Sequence, residues 1–229
     1  MEFSIQHSAF VRGKMNKYKV LIVDDHPIVR HGLGELIARQ PDLEICGEAA
    51  EAAEALRQIE ADRPHVAVID ISLKGESGLE LIEQIKARYP EVKMLVSSMH
   101  DEQTFAGRAL RAGALGYINK RESIRKVIEA VRQVLRGEIY LSPQMASQLL
   151  HRAAVGEPLD HDPVETLSNR ELEVFEMIGQ GMNTQQIARK LGLSPSTVET
   201  HRKKIKTKLS VPNSAQLSRA AFQWVHENH

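Results

Sequence analysis

The chain has a single cysteine, a single tryptophan and no net charge, and each shortage excludes something. One cysteine, Cys46, rules out an internal disulfide. Within Leu43-Glu44-Ile45-Cys46 it reads as a small core side chain rather than a reactive thiol. No apolar run approaches the roughly 20 residues of a membrane helix. Residues 1–14 lack the apolar core and small-residue cleavage site of a secretory signal. A cytoplasmic protein with no membrane partner is expected. His26, His31 and His65 have no repeated ligand spacing with cysteine or acidic partners, so zinc is not expected. Aromatics make up only 4% of the chain. Two of them, Phe222 and Trp224, lie near its end and are expected to pack the last helix rather than hold a cofactor.

What is present fits one large or two small domains: 229 residues, 42% hydrophobic and 26% charged. The zero net charge conceals an asymmetry. Residues 15–141 hold 18 Lys+Arg against 20 Asp+Glu, net −2; residues 142–165 hold 1 against 4, net −3; residues 166–229 hold 9 against 5, net +4. An acidic front and a basic tail argue for separate modules, the second with an anionic partner. Met15 stands just before the first strand pattern, so residues 1–14 read as a leader or tag outside the fold. The front domain is expected over 15–141, a linker over 142–165 and a tail domain over 166–229. Ser142-Pro143 can start a short helix through Leu150; the acidic stretch from His151 to Pro163 has no period.

Strand and helix patterns alternate through the front domain. Strands are predicted near 19–23, 43–47, 65–70, 92–97 and 115–118, and helices near 27–40, 51–62, 77–89, 101–112 and 122–136. In the last helix Ile124, Val127, Ile128, Val131 and Leu135 form one apolar stripe. Five βα units imply an α/β, doubly wound, five-stranded parallel sheet. The tail reads as all-α with four helix starts, at Ser168 (with Glu171 three residues on), Asn183 (with Gln186), Ser194-Pro195 and Asn213 (with Gln216). The short link Gly192-Leu193-Ser194 between two of them is a helix-turn-helix pattern.

The first strand, Val20-Leu21-Ile22-Val23, ends on Asp24-Asp25. The third, Val66-Ala67-Val68-Ile69, ends on Asp70. In an open parallel sheet both deliver carboxylates to the crevice at the strands' carboxyl ends. Asp24-Asp25 alone would read as helix-capping residues in a solvated loop. With Ser98 after the fourth strand and Lys120 after the fifth, one sheet edge gathers an acid pair, an acid, a hydroxyl and an ammonium. Three close carboxylates repel one another, and oxygen-only ligation suits Mg²⁺ with a phosphate partner. Such a set can accept a phosphoryl group on a carboxylate.

On these residues, and on the spacing Tyr117-Ile118-Asn119-Lys120, the front domain resembles a response-regulator receiver domain. The words Leu167-Ser168-Asn169-Arg170-Glu171, Asn183-Thr184-Gln185-Gln186-Ile187-Ala188, Thr197-Val198 and Lys208-Leu209 make the tail similar to the DNA-binding domain of the NarL/FixJ, LuxR-type subfamily. The resemblance implies that Asp70 accepts phosphoryl from a sensor histidine kinase. It implies that Asp25 binds Mg²⁺ directly, Asp24 through water, and that Asp70 and the Ser72 carbonyl complete the site. Lys120 would pair with the phosphoryl oxygens, Ser98 would turn toward them, and Tyr117 would follow. Ser97 is a second candidate hydroxyl; Ser98 is preferred because Met99-His100 follows it, as in the subfamily. Lys74 and Arg121 stand where the family usually has proline.

In the third tail helix, 100° per residue places Val198, Ile205 and Leu209 toward the core. Ser196, Thr200, Lys203 and Thr207 point away from it, with Glu199 and Lys204 at the edges. These residues, with Lys208, are the expected contacts to promoter DNA. Glu199 stands where family members often carry a base; it would accept from a cytosine amino group or position Lys203. A phosphorylation-promoted homodimer is expected, as is hindrance of the recognition helix by the unphosphorylated, acidic receiver or by the linker. Two other readings compete. One is a magnesium-dependent phosphohydrolase, for which no second general acid or lid is found. The other is a DNA-binding protein whose degenerate receiver only dimerises, against which the complete acid, hydroxyl and lysine set argues.

Overall fold

The computed structural model describes residues 17–155 and 163–228. The suggested leader and the middle of the suggested linker lie outside these. Five strands form one parallel sheet: β1 (Tyr18–Val23), β2 (Leu43–Ala49), β3 (Val66–Ile69), β4 (Lys93–Ser98) and β5 (Gly116–Asn119), in the order β2-β1-β3-β4-β5. The helices between and after them are α1 (Pro27–Ala38), α2 (Ala52–Asp62), α3 (Gly78–Arg88), α4 (Glu102–Ala112) and α5 (Ile124–Leu135). Alternation along each strand sorts the core. Val20, Ile22, Val66 and Val68 pack with α1 and α5, while Leu21, Val23, Ala67 and Ile69 pack on the other face. Strand order reverses between β1 and β3, which opens the crevice where Asp24 and Asp70 emerge.

The sheet gains one residue the sequence pattern did not show. Tyr140 pairs parallel to Gly116, taking the Tyr117 amide on its carbonyl at 2.9 Å. Helix α6 (Pro143–Val155) runs past Leu150, where it was expected to stop. Met145 and Leu149, one turn apart, pack into the core and hold it against α4. The far end of the suggested linker is also fixed. A 3₁₀ turn spans Pro163–Thr166, and Arg108 of α4 donates to the carbonyls of Leu167 (2.7 Å) and Val164 (3.0 Å).

The tail holds α7 (Asn169–Gly179), α8 (Thr184–Leu191), α9 (Pro195–Lys208) and α10 (Ser214–Asn228). Ser168–Glu171 and Asn183–Gln186 form the two reciprocal caps that the sequence suggested, and Ser194 caps α9. Gly192 closes α8 at φ +65°, which glycine adopts without strain. Val198 and Ile205 are buried as predicted. Trp224 packs on Phe175, whereas Phe222 is exposed and stacks on His226, because it lies on the face of α10 turned away from α7.

Gly78 ties the receiver's helices to its site. A Cβ there would lie 1.9 Å from the Asp70 carbonyl oxygen, a backbone atom. Gly78→Ala is expected to cost about 1–3 kcal/mol as an overpacked core position, read as a lower urea midpoint. An unchanged midpoint would show that the loop yields without cost.

Candidate functional site

The strand ends bring the predicted receiver residues together. Asp24 and Asp70 are buried, and Lys120 bridges them, 2.5 Å from Asp24 Oδ2 and 2.6 Å from Asp70 Oδ2. The backbone fixes both acids: the Asp70 amide donates to the Val23 carbonyl, and the Asp24 amide to that of Ala49. Burial pushes the Asp70 carboxyl above its usual pKa, with Asp24 adding to the effect and Lys120 opposing it. Burial works against the Lys120 ammonium, but Asp70 and Asp24 outweigh it and raise its pKa.

Asp24, Asp25, His26 and Asp70 place one ligand atom each within 4.8 Å of one another. Asp25 Oδ1 lies 2.7 Å from His26 Nδ1 yet lacks hydrogen-bond geometry to any group. A buried carboxylate oxygen left without a hydrogen-bond partner beside two further carboxylates fits a divalent cation. Receiver domains generally bind Mg²⁺ at this acidic pocket, and these residues fit it. The Ser72 amide donates to Asp70 Oδ1 at 3.3 Å, so Ser72 stands beside the site. His26 is a member of the cluster that spacing rules did not find; its signal was adjacency to the acid pair.

Ser98 and Tyr117 are fully buried next to this crevice. Both end on one residue. Ser98 Oγ accepts from the His100 amide (3.2 Å), and Tyr117 Oη donates to the His100 carbonyl (2.9 Å). Ser97 is buried too and lines the crevice. The His100 ring lies between Ser72 Oγ, 2.6 Å from Nε2, and Glu176 Oε2 of α7, 2.5 Å from Nδ1. Burial acts to lower the His100 pKa, but Glu176 overrides it and the net shift is upward.

The crevice therefore has a wall that the sequence did not reveal. A cavity of about 660 Å³ is lined by Asp70, Ser72 and Lys120 on the receiver side and by Glu176, Gln180 and Lys190 of the tail. Helix α7 is buried along its length, carboxylates included. Glu173 accepts from Ser77 Oγ (2.7 Å) and Arg170 Nη1 (2.7 Å), and burial raises its pKa. Gly75 donates to the Leu191 carbonyl at 3.0 Å, and Lys74 packs beside Gly192. The loop that carries lysine in place of the family's proline thus rests on the tail.

The receiver does not cover the face of the recognition helix that is expected to meet DNA. On α9, Ser196, Glu199, Thr200, Lys203, Lys204 and Thr207 are all exposed. The receiver holds α7 and the α8–α9 turn instead, through Arg170 and buried carboxylates rather than through the basic face. Thr200 and Thr207 donate to the carbonyls of Ser196 and Lys203 of their own helix. Glu199 does not pair with Lys203: it accepts from Thr184 Oγ1 at 2.5 Å and lies 3.6 Å from Arg202 Nε. Lys208, also an expected DNA contact, sits 2.6 Å from Glu171 Oε2 and 3.0 Å from the Thr166 carbonyl.

Fold and site together define a receiver-type phosphorylation crevice joined to a helix-turn-helix domain. Residues 20–132 match the response regulator receiver domain family, and residues 165–221 match the luxR family of bacterial regulatory proteins. The chain is 36% identical to the response regulator GacA of Pseudomonas aeruginosa over 206 residues, covering 90% of this chain and 95% of that one. It is 35% identical to the oxygen regulatory protein NreC of Staphylococcus carnosus over 210 residues, covering 90% and 97%. Its fold is similar to RcsB from Salmonella enterica serovar Typhimurium, solved on promoter rprA with the phosphomimetic BeF3⁻ (TM-score 0.59, 25% identity, 89% of this chain and 98% of that one). The chain belongs to the two-component response regulators of the NarL/FixJ family, DNA-binding transcription regulators rather than enzymes. No helix among the described residues is long and apolar enough to cross a membrane.

Proposed function

We propose that Asp70 is the phosphoacceptor of this regulator, and that α9 reads promoter DNA from the cytoplasm in a phosphorylation-promoted homodimer. The observation that carries the reading is Lys120 bridging the buried carboxylates of Asp70 and Asp24. An Asp70 oxygen attacks the phosphorus of a phosphohistidine on a sensor kinase; the P–N bond breaks, imidazole leaves, and an acyl phosphate forms. Asp24, Asp25, Asp70 and the Ser72 carbonyl would hold Mg²⁺, which when bound would supply neutralising charge for the transferring group. Lys120 then pairs with phosphoryl oxygens, and Ser98 turns to donate to them. Tyr117 follows into the vacated space. The domain limits that fit this reading are 15–141, 142–165 and 166–229.

On DNA, the exposed Ser196, Glu199, Thr200, Lys203, Lys204 and Thr207 face the groove. Lys208 reaches a phosphate only by leaving Glu171. Two recognition helices of a dimer would meet half-sites about 10–10.5 base pairs apart. The test is recovery of bound sites from random DNA, with and without beryllofluoride and Mg²⁺. Paired half-sites, enriched more strongly with the mimic, are expected. Absence of any enriched sequence would refute the reading. On the recovered site, Lys203→Ala and Thr200→Ala are expected to alter base preference by about 1–3 kcal/mol. Equal losses on every DNA sequence would place both side chains on phosphates.

A further inference from the structure

We propose that His100 is the coupling residue of this chain: it clamps the tail through Glu176, and the switch residues control that clamp. The inference rests on the phosphorylation reading above and deepens it by naming the route from crevice to DNA-binding domain.

Every polar hold that the described structure shows on His100 leads to one of two places. Four lead into the receiver, three of them to the phosphorylation crevice. Ser98 Oγ takes its amide (3.2 Å), Tyr117 Oη gives to its carbonyl (2.9 Å), and Ser72 Oγ touches Nε2 (2.6 Å). Asn119 Nδ2, at the end of β5, adds a second donor to that carbonyl at 3.2 Å. The other place is the tail: Glu176 Oε2 on Nδ1 at 2.5 Å. Phe105 packs on the ring, 4.6 Å between centroids, so the imidazole has little room to turn while its backbone is held.

Rotation of the switch side chains sets these holds against the phosphoryl group. A phosphoryl group on Asp70 draws Ser98 Oγ to its own oxygens, and the His100 amide loses its acceptor. Tyr117 moves with Ser98, and the His100 carbonyl loses its phenol donor. Ser72 is tied to the same acid, its amide donating to Asp70 Oδ1 at 3.3 Å. The loop that aims the ring at Glu176 loses its amide hold and one of its two carbonyl donors in one event, keeping only Asn119 Nδ2. Glu176 is then a buried carboxylate facing a new dianion across the cavity they share, and its route to solvent is separation of the domains. The Ser77–Glu173 bond crosses the same interface without touching either switch residue. It holds the domains but does not carry the signal.

The experiment uses full-length protein with one fluorophore on each domain, so that the closing equilibrium is read directly by energy transfer, with and without beryllofluoride and Mg²⁺. In the wild type the mimic is expected to lower the closing constant by about fivefold or more. His100→Ala and Glu176→Gln each lower it without the mimic, and the mimic then adds less than about twofold; the double variant goes no further than either single one. Ser77→Ala also lowers it, but the mimic keeps its wild-type factor. Glu176→Gln retains a hydrogen-bonding side chain in the other domain, so the test survives if His100→Ala fails to fold. If the mimic acts on both the His100 and Glu176 variants with its wild-type factor, the signal travels elsewhere and the inference is overturned. If the wild type itself does not respond, the phosphorylation reading falls first, and that outcome is distinct.

Discussion

Asp70→Asn is expected to abolish acid-labile phosphorylation by a small acyl-phosphate donor while leaving the fold intact. The loss is complete because an amide oxygen does not act as the carboxylate nucleophile that forms an acyl phosphate. The fold survives because asparagine has nearly the same shape, and because Lys120 keeps Asp24 at 2.5 Å when Asp70 is gone. Removing one of two buried carboxylates that share an ammonium also removes their mutual repulsion. Asp25→Ala is expected to block labelling by a different route. Its Oδ1 faces only the exposed His26 ring, which water can serve in its place, so its removal costs the metal site rather than the fold. The measurements are intact-protein mass after exposure to the donor, with and without Mg²⁺, and a urea melt of each variant. Undiminished labelling of Asp70→Asn would move the acceptor to another residue.

That crevice was legible in the sequence because strand ends are. Four-residue apolar runs ending on Asp24-Asp25 and Asp70 can reach only one place in a doubly wound sheet, and β1 and β3 are neighbours in it. Element ends within the five βα units came within about two residues, the usual uncertainty at frayed termini. The helix starts of the tail were equally legible, since Ser168 and Asn183 pair with Glu171 and Gln186 three residues on, a purely local signal.

The interface between the domains was not legible, and the reason is physical. A 3.6-residue period identifies one buried face of a helix. On α7 the second face carries Glu173 and Glu176, which any pattern reading assigns to solvent. They are buried because Ser77, 96 positions away, and His100, 76 positions away, come to meet them. No local propensity records a contact over such separations. Net charge was equally silent on which face docks: an acidic receiver and a basic tail suggested that the domains touch, but charge sums describe long-range attraction and not the docked face. The extension of α6 to Val155 was hidden similarly, since Met145 and Leu149 are apolar for a core supplied by α4.

Arg170→Ala is expected to open the chain rather than unfold it. Arg170 Nη1 lies 2.7 Å from Glu173 Oε2, both side chains are almost wholly buried, and its other nitrogen reaches the Leu73 carbonyl of the receiver at 3.4 Å. Removing one member of a buried pair costs about 3–5 kcal/mol when the other must stay buried. Here it need not stay. Glu173 is buried by docking of the two domains, so separation returns its carboxylate to water. The penalty is then limited to the free energy that holds the domains together, and each domain keeps its own core. Small-angle scattering of the unphosphorylated variant should show a larger radius of gyration than the wild type, with little change in the melting of either domain. Affinity for the selected DNA site should rise toward that of the phosphomimetic form. A second variant separates charge from geometry: Arg170→Met with Glu173→Leu replaces the pair by apolar side chains of similar volume. Such replacements of buried pairs are often neutral or stabilising, so the double variant is expected to close again and to bind DNA like the wild type. If Arg170→Ala stays compact and melts several degrees lower, the pair is part of a core that does not separate. The docked arrangement would then be the permanent structure of this regulator rather than its resting state.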